Sequence, residues 1–322
     1  MNKVMFEEIK VKMSSVLDER QLFKLDAVLS EVFNLNCEKK DFVQLFLFAK
    51  KSEGRSKRTA VYYSQVLRNF EASVEDIRYV TSDEVRSYLF SYQEKNKCSA
   101  LTVDNIRRIL STFYIWMENE DYILKSPMRR IGKMKIPKII KSVFADEQIV
   151  AMRENFSANS RNLAILDLLY SSGMRVGELV SLNRKDINLD AQTAIVYGKG
   201  AKEREVYFDV KTKMSLKKYL EERKDNLEAL FIVSKNLRKK RNEGRISINQ
   251  VERLIRDCGK ISCDVKAYPH KFRRTMATRA IDKGMPIEQV QVLLGHTKID
   301  TTLHYAQVQQ KNVRFAYMHY IA

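Results

Sequence analysis

Arg175 and Glu178 stand three residues apart in Gly173-Met174-Arg175-Val176-Gly177-Glu178-Leu179. At a helix start that spacing puts both on one face, where the carboxylate can orient the guanidinium. His270 and Arg273 repeat the spacing in His270-Lys271-Phe272-Arg273, and Leu294-Gly295-His296 ends nine residues before Tyr305. Lys199 lies in the turn Gly198-Lys199-Gly200-Ala201-Lys202. Phosphoryl transfer at a diester calls for such a set: cations on the non-bridging oxygens, a nucleophile in line and a proton donor for the departing oxygen. Taken one at a time, each has a plainer explanation. Arg175 suits a surface ion pair, His270 a helix cap, and Lys199 a solvated turn that Lys202 and Arg204 would suit equally. Tyr317 and Tyr320 compete with Tyr305 as candidate nucleophiles.

The elements that must hold these residues are mostly helices. The chain of 322 residues has only ten glycines and four prolines, with no repeat or low-complexity tract, so a fully folded, mainly α protein of two domains is expected. Apolar stripes mark two short helices before residue 36 and four more between about 38 and 124, the first of the four on Phe42, Leu45, Phe46 and Ala49 and the last on Ile106, Ile109, Leu110 and Phe113. Thr81 and Glu84 form a capping box that starts the third of these four. The pattern breaks between Ser126 and Ser142, where Pro127, Gly132 and Pro137 accompany six basic residues and no acid. This reads as a linker, either a plain tether or a strand of cations along a phosphate backbone. Helices resume from 146 to 183, with a break at Ser172 and Gly173. Alternation from Thr193 to Asp209 predicts a β-hairpin around residues 198–202. Pro269 and Gly284 bracket one later helix, Pro286 and Gly295 the next, and Asp300 is the expected N-cap of a last short helix leading to Tyr305.

Lys and Arg outnumber Asp and Glu by 58 to 40, a formal charge of +18. Such a balance favours a polyanionic partner and leaves DNA, RNA and an anionic membrane surface open. Within the four-helix segment the basic pairs Lys57 with Arg58 and Arg107 with Arg108 could meet phosphates, as could Arg129, Arg130, Lys133 and Lys135 of the linker. Cys37, Cys98, Cys258 and Cys263 have neither CxxC spacing nor neighbouring histidines, so no metal site is expected. Apolar runs are too short to span a bilayer, and a cytoplasmic protein is expected.

The ordered set Arg175, Lys199, His270, Arg273, His296 and Tyr305 resembles the tyrosine recombinases, or phage-type integrases, over nearly the whole chain, and the second half looks most like the bacterial Xer recombinases and their relatives on mobile elements. The family more often has Leu where Phe272 stands, a core position. The resemblance implies a helical extension (1–36), a helical, SAM-like core-binding domain (37–125), a basic linker (126–144) and a catalytic domain with a small antiparallel β-sheet and a C-terminal tail helix (145–322), the two domains forming a clamp around DNA. It implies that Arg175 and Arg273 grip the scissile phosphate, that Lys199 protonates the leaving 5′ oxygen, and that His270 acts as base on Tyr305. His296 would hydrogen-bond the phosphate, and Tyr305 would form a 3′-phosphotyrosyl link, with no metal, cofactor or ATP.

The resemblance further implies duplex recombination sites as partners, Holliday-junction exchange by a tetramer, an accessory directionality protein, and a nucleoid-associated location in a bacterial cytoplasm. In such proteins the terminal helix docks into a neighbouring subunit. The tail from Gln307 to Ala322, with Val313, Phe315, Ala316, Tyr317, Tyr320 and Ile321, is apolar enough to do so or to pack on its own domain. Integration or excision of a mobile element is the expected task, with chromosome-dimer resolution and DNA inversion as alternatives. A type IB topoisomerase would use nearly the same residues, and a DNA-binding module without catalysis would share only the charge.

Overall fold

A computed structural model describes the chain except for residues 1, 33–39, 136–141, 199–202, 234–243, 297–298, 304–316 and 319–322. The chain divides into two units, Met1–Ile139 and Ile140–Ala322.

The first unit is helical. Helices α3 (Phe42–Ser52), α4 (Lys57–Glu71), α5 (Ser82–Asn96) and α6 (Ala100–Asn119) each start at a side chain that accepts the backbone N–H three residues on: Asp41, Ser56, Thr81 and Ser99. Each cap satisfies one of the amides a helix start leaves orphaned, and the Thr81–Glu84 capping box forms as expected. The apolar stripes meet in a core of Phe46, Leu67, Phe70, Val85, Leu110, Phe113, Tyr114 and Met117. The Tyr114 hydroxyl, buried there, donates to the Ile77 carbonyl at 3.0 Å. Ahead of this bundle, α1 (Asn2–Met13) and α2 (Glu19–Val32) are held to it through Asp26. That carboxylate pairs with Lys10 and accepts the Tyr79 hydroxyl, while Phe23 packs edge-on against the Tyr79 ring.

The described first part of the stretch read as a linker is folded against the first unit. Pro127–Arg130 is a single 3-10 turn capped by Ser126, with Met128 buried against the bundle. Ser82 Oγ donates to the Pro127 carbonyl at 2.7 Å, and the Met134 N–H donates to Asp104 at 3.3 Å. At its far end Phe144 is buried in the second unit against Phe272.

The second unit is built around α8 (Ser160–Ser172), whose Ala164, Ile165, Leu166, Leu168 and Leu169 are fully buried. It is flanked by α7 (Asp146–Asn155), α9 (Val176–Ser181), α10 (Val210–Glu222) and α12 (Pro269–Asp282), while α11 (Ile248–Cys263) packs against α7, α9 and α12. Helices α13 (Ile287–Leu294) and α14 (Ile299–Leu303) follow. A three-stranded antiparallel sheet runs in the order β1 (Ile187–Asn188), β2 (Thr193–Tyr197), β3 (Glu203–Tyr207), with Ala194 opposite Val206 and Val196 opposite Arg204. The mainly α fold with one small sheet is thus as expected. Phe272 is wholly buried, the core role its position suggested. Helix α14 begins at Ile299, so Asp300 lies inside it and is not its N-cap.

Candidate active site

Three helix ends converge in the second unit. Helix α8 stops at Gly173, whose φ of +61° gives the left-handed cap that glycine adopts without a Cβ penalty. Two residues later Arg175 opens α9, its backbone N–H donating to Glu178 Oε2 at 2.7 Å and its Nη1 to Oε1 at 2.8 Å. Helix α12 starts with Pro269, where a missing N–H costs nothing, and so presents His270 on the surface and Arg273 inward. Helix α13 ends at Gly295, again left-handed with φ +63°, turning the chain to His296.

Arg273 is the keystone, 1% exposed. Its Nη1 donates to the Gly173 carbonyl at 2.7 Å and its Nη2 to the Leu294 carbonyl at 2.6 Å, both at the ends of helices, where carbonyls are unsatisfied and the dipole favours a cation. Nη2 also lies 3.0 Å from His296 Nε2, and His296 Nδ1 is 2.9 Å from the buried Thr302 Oγ1. Arg175 Nη2 reaches toward the Gly295 carbonyl at 3.4 Å. Burial, reinforced by the charges of Arg273, Arg175, His270 and Arg204, lowers the His296 pKa to about 4. Cations from three separate motifs therefore act on one point, and the carboxylate of Glu178 pairs with two of them, Arg175 and Arg204. The site is built to receive an anion.

Of the residues singled out in the sequence, Arg175 is hydrogen-bonded to Glu178 and Arg273 to His296, and Arg175, Arg273 and His270 all stand close enough for their charges to bear on His296. Lys199 and Tyr305 lie outside the described residues. Two further residues belong to the site. Arg204 donates to both oxygens of Glu178, at 2.8 and 2.7 Å, and is no part of a solvated turn. The signal was in the strand alternation, since Arg204 is in phase with the buried Val206 on the inner face of the sheet. Thr302 carried no comparable signal, because only the fold carries it back to His296.

Among the eight basic residues proposed to meet phosphate, Lys57, Arg58, Arg108, Arg130, Lys133 and Lys135 are exposed and make no ion pair with the described residues. Two are corrected. Arg107 is tied to the buried Asp104 at 2.8 Å, and Arg129 pairs with Glu118. Among the described residues no three His, Cys, Asp or Glu side chains form a metal-holding group, and no helix is long and apolar enough to cross a membrane.

Residues 144–312 match the model of the phage integrase family, and residues 42–124 that of the phage integrase N-terminal SAM-like domain. The tyrosine recombinase XerC of Staphylococcus aureus (strain JH9) is 30% identical over 268 residues, covering 80% of this chain and 86% of that protein. Among solved structures, a lambda integrase tetramer bound to a Holliday junction superposes with a TM-score of 0.65 at 17% identity, covering 87% of this chain and 88% of that one. The Tn1549 transposon integrase in complex with transposon right end DNA gives 0.67 at 19%, covering 87% and 99%. Both show the same fold. With the family match over the whole catalytic half and the likeness to XerC over four fifths of its length, this chain belongs to the phage integrase family and is a tyrosine recombinase.

Proposed function

We propose that the protein is a site-specific recombinase that breaks and rejoins DNA through a covalent link to Tyr305, and that its task is integration and excision of a mobile element. The observation that carries this reading is the convergence of Arg175 and Arg273, from motifs far apart in sequence, on one point flanked by His270 and His296. Guanidinium forks match the two non-bridging oxygens of a phosphodiester in a way that lysine does not.

In this reading Tyr305 Oη attacks phosphorus, the bond from phosphorus to the 5′ oxygen breaks, and the strand is left with a 3′-phosphotyrosine and a free 5′ hydroxyl. His270 takes the tyrosine proton and Lys199 gives one to the leaving oxygen. The energy of the diester is kept in the new ester, so a 5′ hydroxyl from the partner duplex can reverse the step without ATP. Repeated on both strands, this passes through a Holliday junction. Lys57 and Arg58 support a DNA contact by the first unit: they occupy the first turn of α4, the positive end of its dipole, where cations are unfavourable unless an anion joins them.

Exchange between two duplexes requires several copies of the chain, and we assign a tetramer. An apolar groove of about 650 Å³ lined by Tyr170, Phe208, Met276, Ala280, Met285 and Leu293 offers a seat for the apolar tail of a neighbouring copy. An accessory protein would set the direction, and the site of action is the nucleoid of a bacterial cytoplasm.

The test is incubation without metal on nicked suicide substrates carrying candidate sites. A protein–DNA adduct that resists denaturation is expected for the unaltered chain and absent for Tyr305→Phe. An adduct formed by Tyr305→Phe would remove the assignment. A plasmid carrying two sites, scored for joined, excised or inverted products, tests the mobile-element task.

A further inference from the structure

Glu178 is 4% exposed and touches two guanidiniums. Arg204, itself 14% exposed, takes both carboxylate oxygens, while the Arg175 side chain holds only Oε1 through Nη1 and stays 43% exposed. The stem of Arg204 crosses Gly295 so closely that a Cβ there would lie 2.9 Å from its Cδ. Its Nε–H is buried without a partner among the described residues, a cost that marks a side chain placed for its fork and not for its own comfort. A carboxylate left to one arginine tends toward a two-point grip. Here Arg204 occupies that geometry first.

We propose that Arg204 is a positioning residue for strand cleavage: by saturating Glu178 it keeps the Arg175 side chain on a one-point contact with that carboxylate, and, beyond the long contact to the Gly295 carbonyl, leaves its other N–H groups for the phosphate. The inference rests on the recombinase reading for its effect on cleavage, but its geometric part does not. Removing Arg204 lets Glu178 rotate onto Arg175 or take up a proton, and in both cases the arginine is no longer presented as it was. Burial by itself pushes the Glu178 carboxyl up; the Arg204 hydrogen bond is the largest of the contacts that hold it below the usual carboxylate range.

Two measurements decide the matter. In a suicide-substrate assay, with Tyr305→Phe as the blank, Arg204→Ala is expected to slow adduct formation by about a hundredfold, and Arg204→Lys, which keeps charge without the fork, to recover only part. In a Glu178→Gln background the same Arg204→Ala change is expected to cost little more, because the two act as one unit. Equal losses in both backgrounds, or wild-type rates in Arg204→Ala, would overturn the proposal. Separately, and without DNA, carbon NMR of the free protein should show the Glu178 carboxyl titrating below its usual range in the wild type and moving up in Arg204→Ala. The variant's cleavage should then gain an acid limb, slowing as pH falls through the raised value. An unmoved Glu178 titration refutes the link even if no substrate is found, and a missing Tyr305-dependent adduct refutes the recombinase reading alone.

Discussion

Arg273 Nη2 lies 3.0 Å from His296 Nε2. A guanidinium only donates, so Nε2 must present its lone pair and the ring proton must sit on Nδ1, donating to Thr302 Oγ1 at 2.9 Å. His296 is therefore held neutral in a defined tautomer by an arginine on one side and a buried threonine on the other. To donate to a phosphate through Nε2 it must gain a proton while Arg273 turns from it to the anion. The incoming negative charge favours both changes.

Thr302→Val tests this lock. The valine fills similar space but leaves the Nδ1–H without its acceptor, a loss of about 1 kcal/mol in stability. Nitrogen NMR of the imidazole should report a single Nδ1–H tautomer in the wild type and a mixture in the variant. A single tautomer in both would show that Thr302 does not select it.

The pH dependence of stability has a definite sign. The His296 pKa falls from the ordinary 6.5 to about 4, mainly through burial and then through Arg273 and its neighbours. Between those values the unfolded chain binds a proton that the folded chain refuses, so stability is full above 6.5 and declines as pH falls toward 4. Urea unfolding from pH 7 to 4.5 should show this decline, reduced in His296→Gln. Identical slopes for the two proteins would contradict it.

Arg273→Lys should be far from conservative. The guanidinium satisfies two helix-terminal carbonyls and an imidazole at once, and an ammonium, shorter in reach and without the planar fork, cannot hold all three. A loss of about 2 kcal/mol is expected from the buried acceptors left unsatisfied, with cleavage lost below detection while DNA is still bound. Thermal unfolding and gel-shift binding separate the two effects.

Arg107 and Arg108, adjacent in sequence, should behave differently. Burial pushes the Asp104 carboxyl up, but its hydrogen bonds to Arg107 and to the Met134 N–H hold it below its usual range. Arg107→Ala would strand that buried charge and cost about 3 kcal/mol of unfolding stability. Arg108→Ala should leave stability within about 0.5 kcal/mol and reduce the salt dependence of DNA binding by about one phosphate contact. Reversed outcomes would exchange their roles.

Much of the molecule follows from local pattern. Helix periodicity, the Thr81–Glu84 capping box, the glycine stops at Gly173 and Gly295 and the strand alternation of the hairpin are short-range signals, set by sterics and by which face a repeat of 3.6 or 2 residues buries. The residue types of the site, and the spacing of Arg175 to Glu178 and of His270 to Arg273, were legible for the same reason. What local pattern could not decide was partnership. Six basic residues without an acid read as a linker, yet Pro127 and Met134 are fastened to the bundle by Ser82 and Asp104, residues remote in sequence. Arg107 looked like Arg108 until Asp104 was seen buried beneath it. Arg204 shared its strand with exposed neighbours, and only the packing of the sheet against α9 brings it to Glu178. The sequence alone determined which chemistry the chain carries. The tertiary structure decided which cations face an anion and which are already spent on a buried carboxylate, because charge pairing depends on distance and burial, and neither is a property of neighbours along the chain.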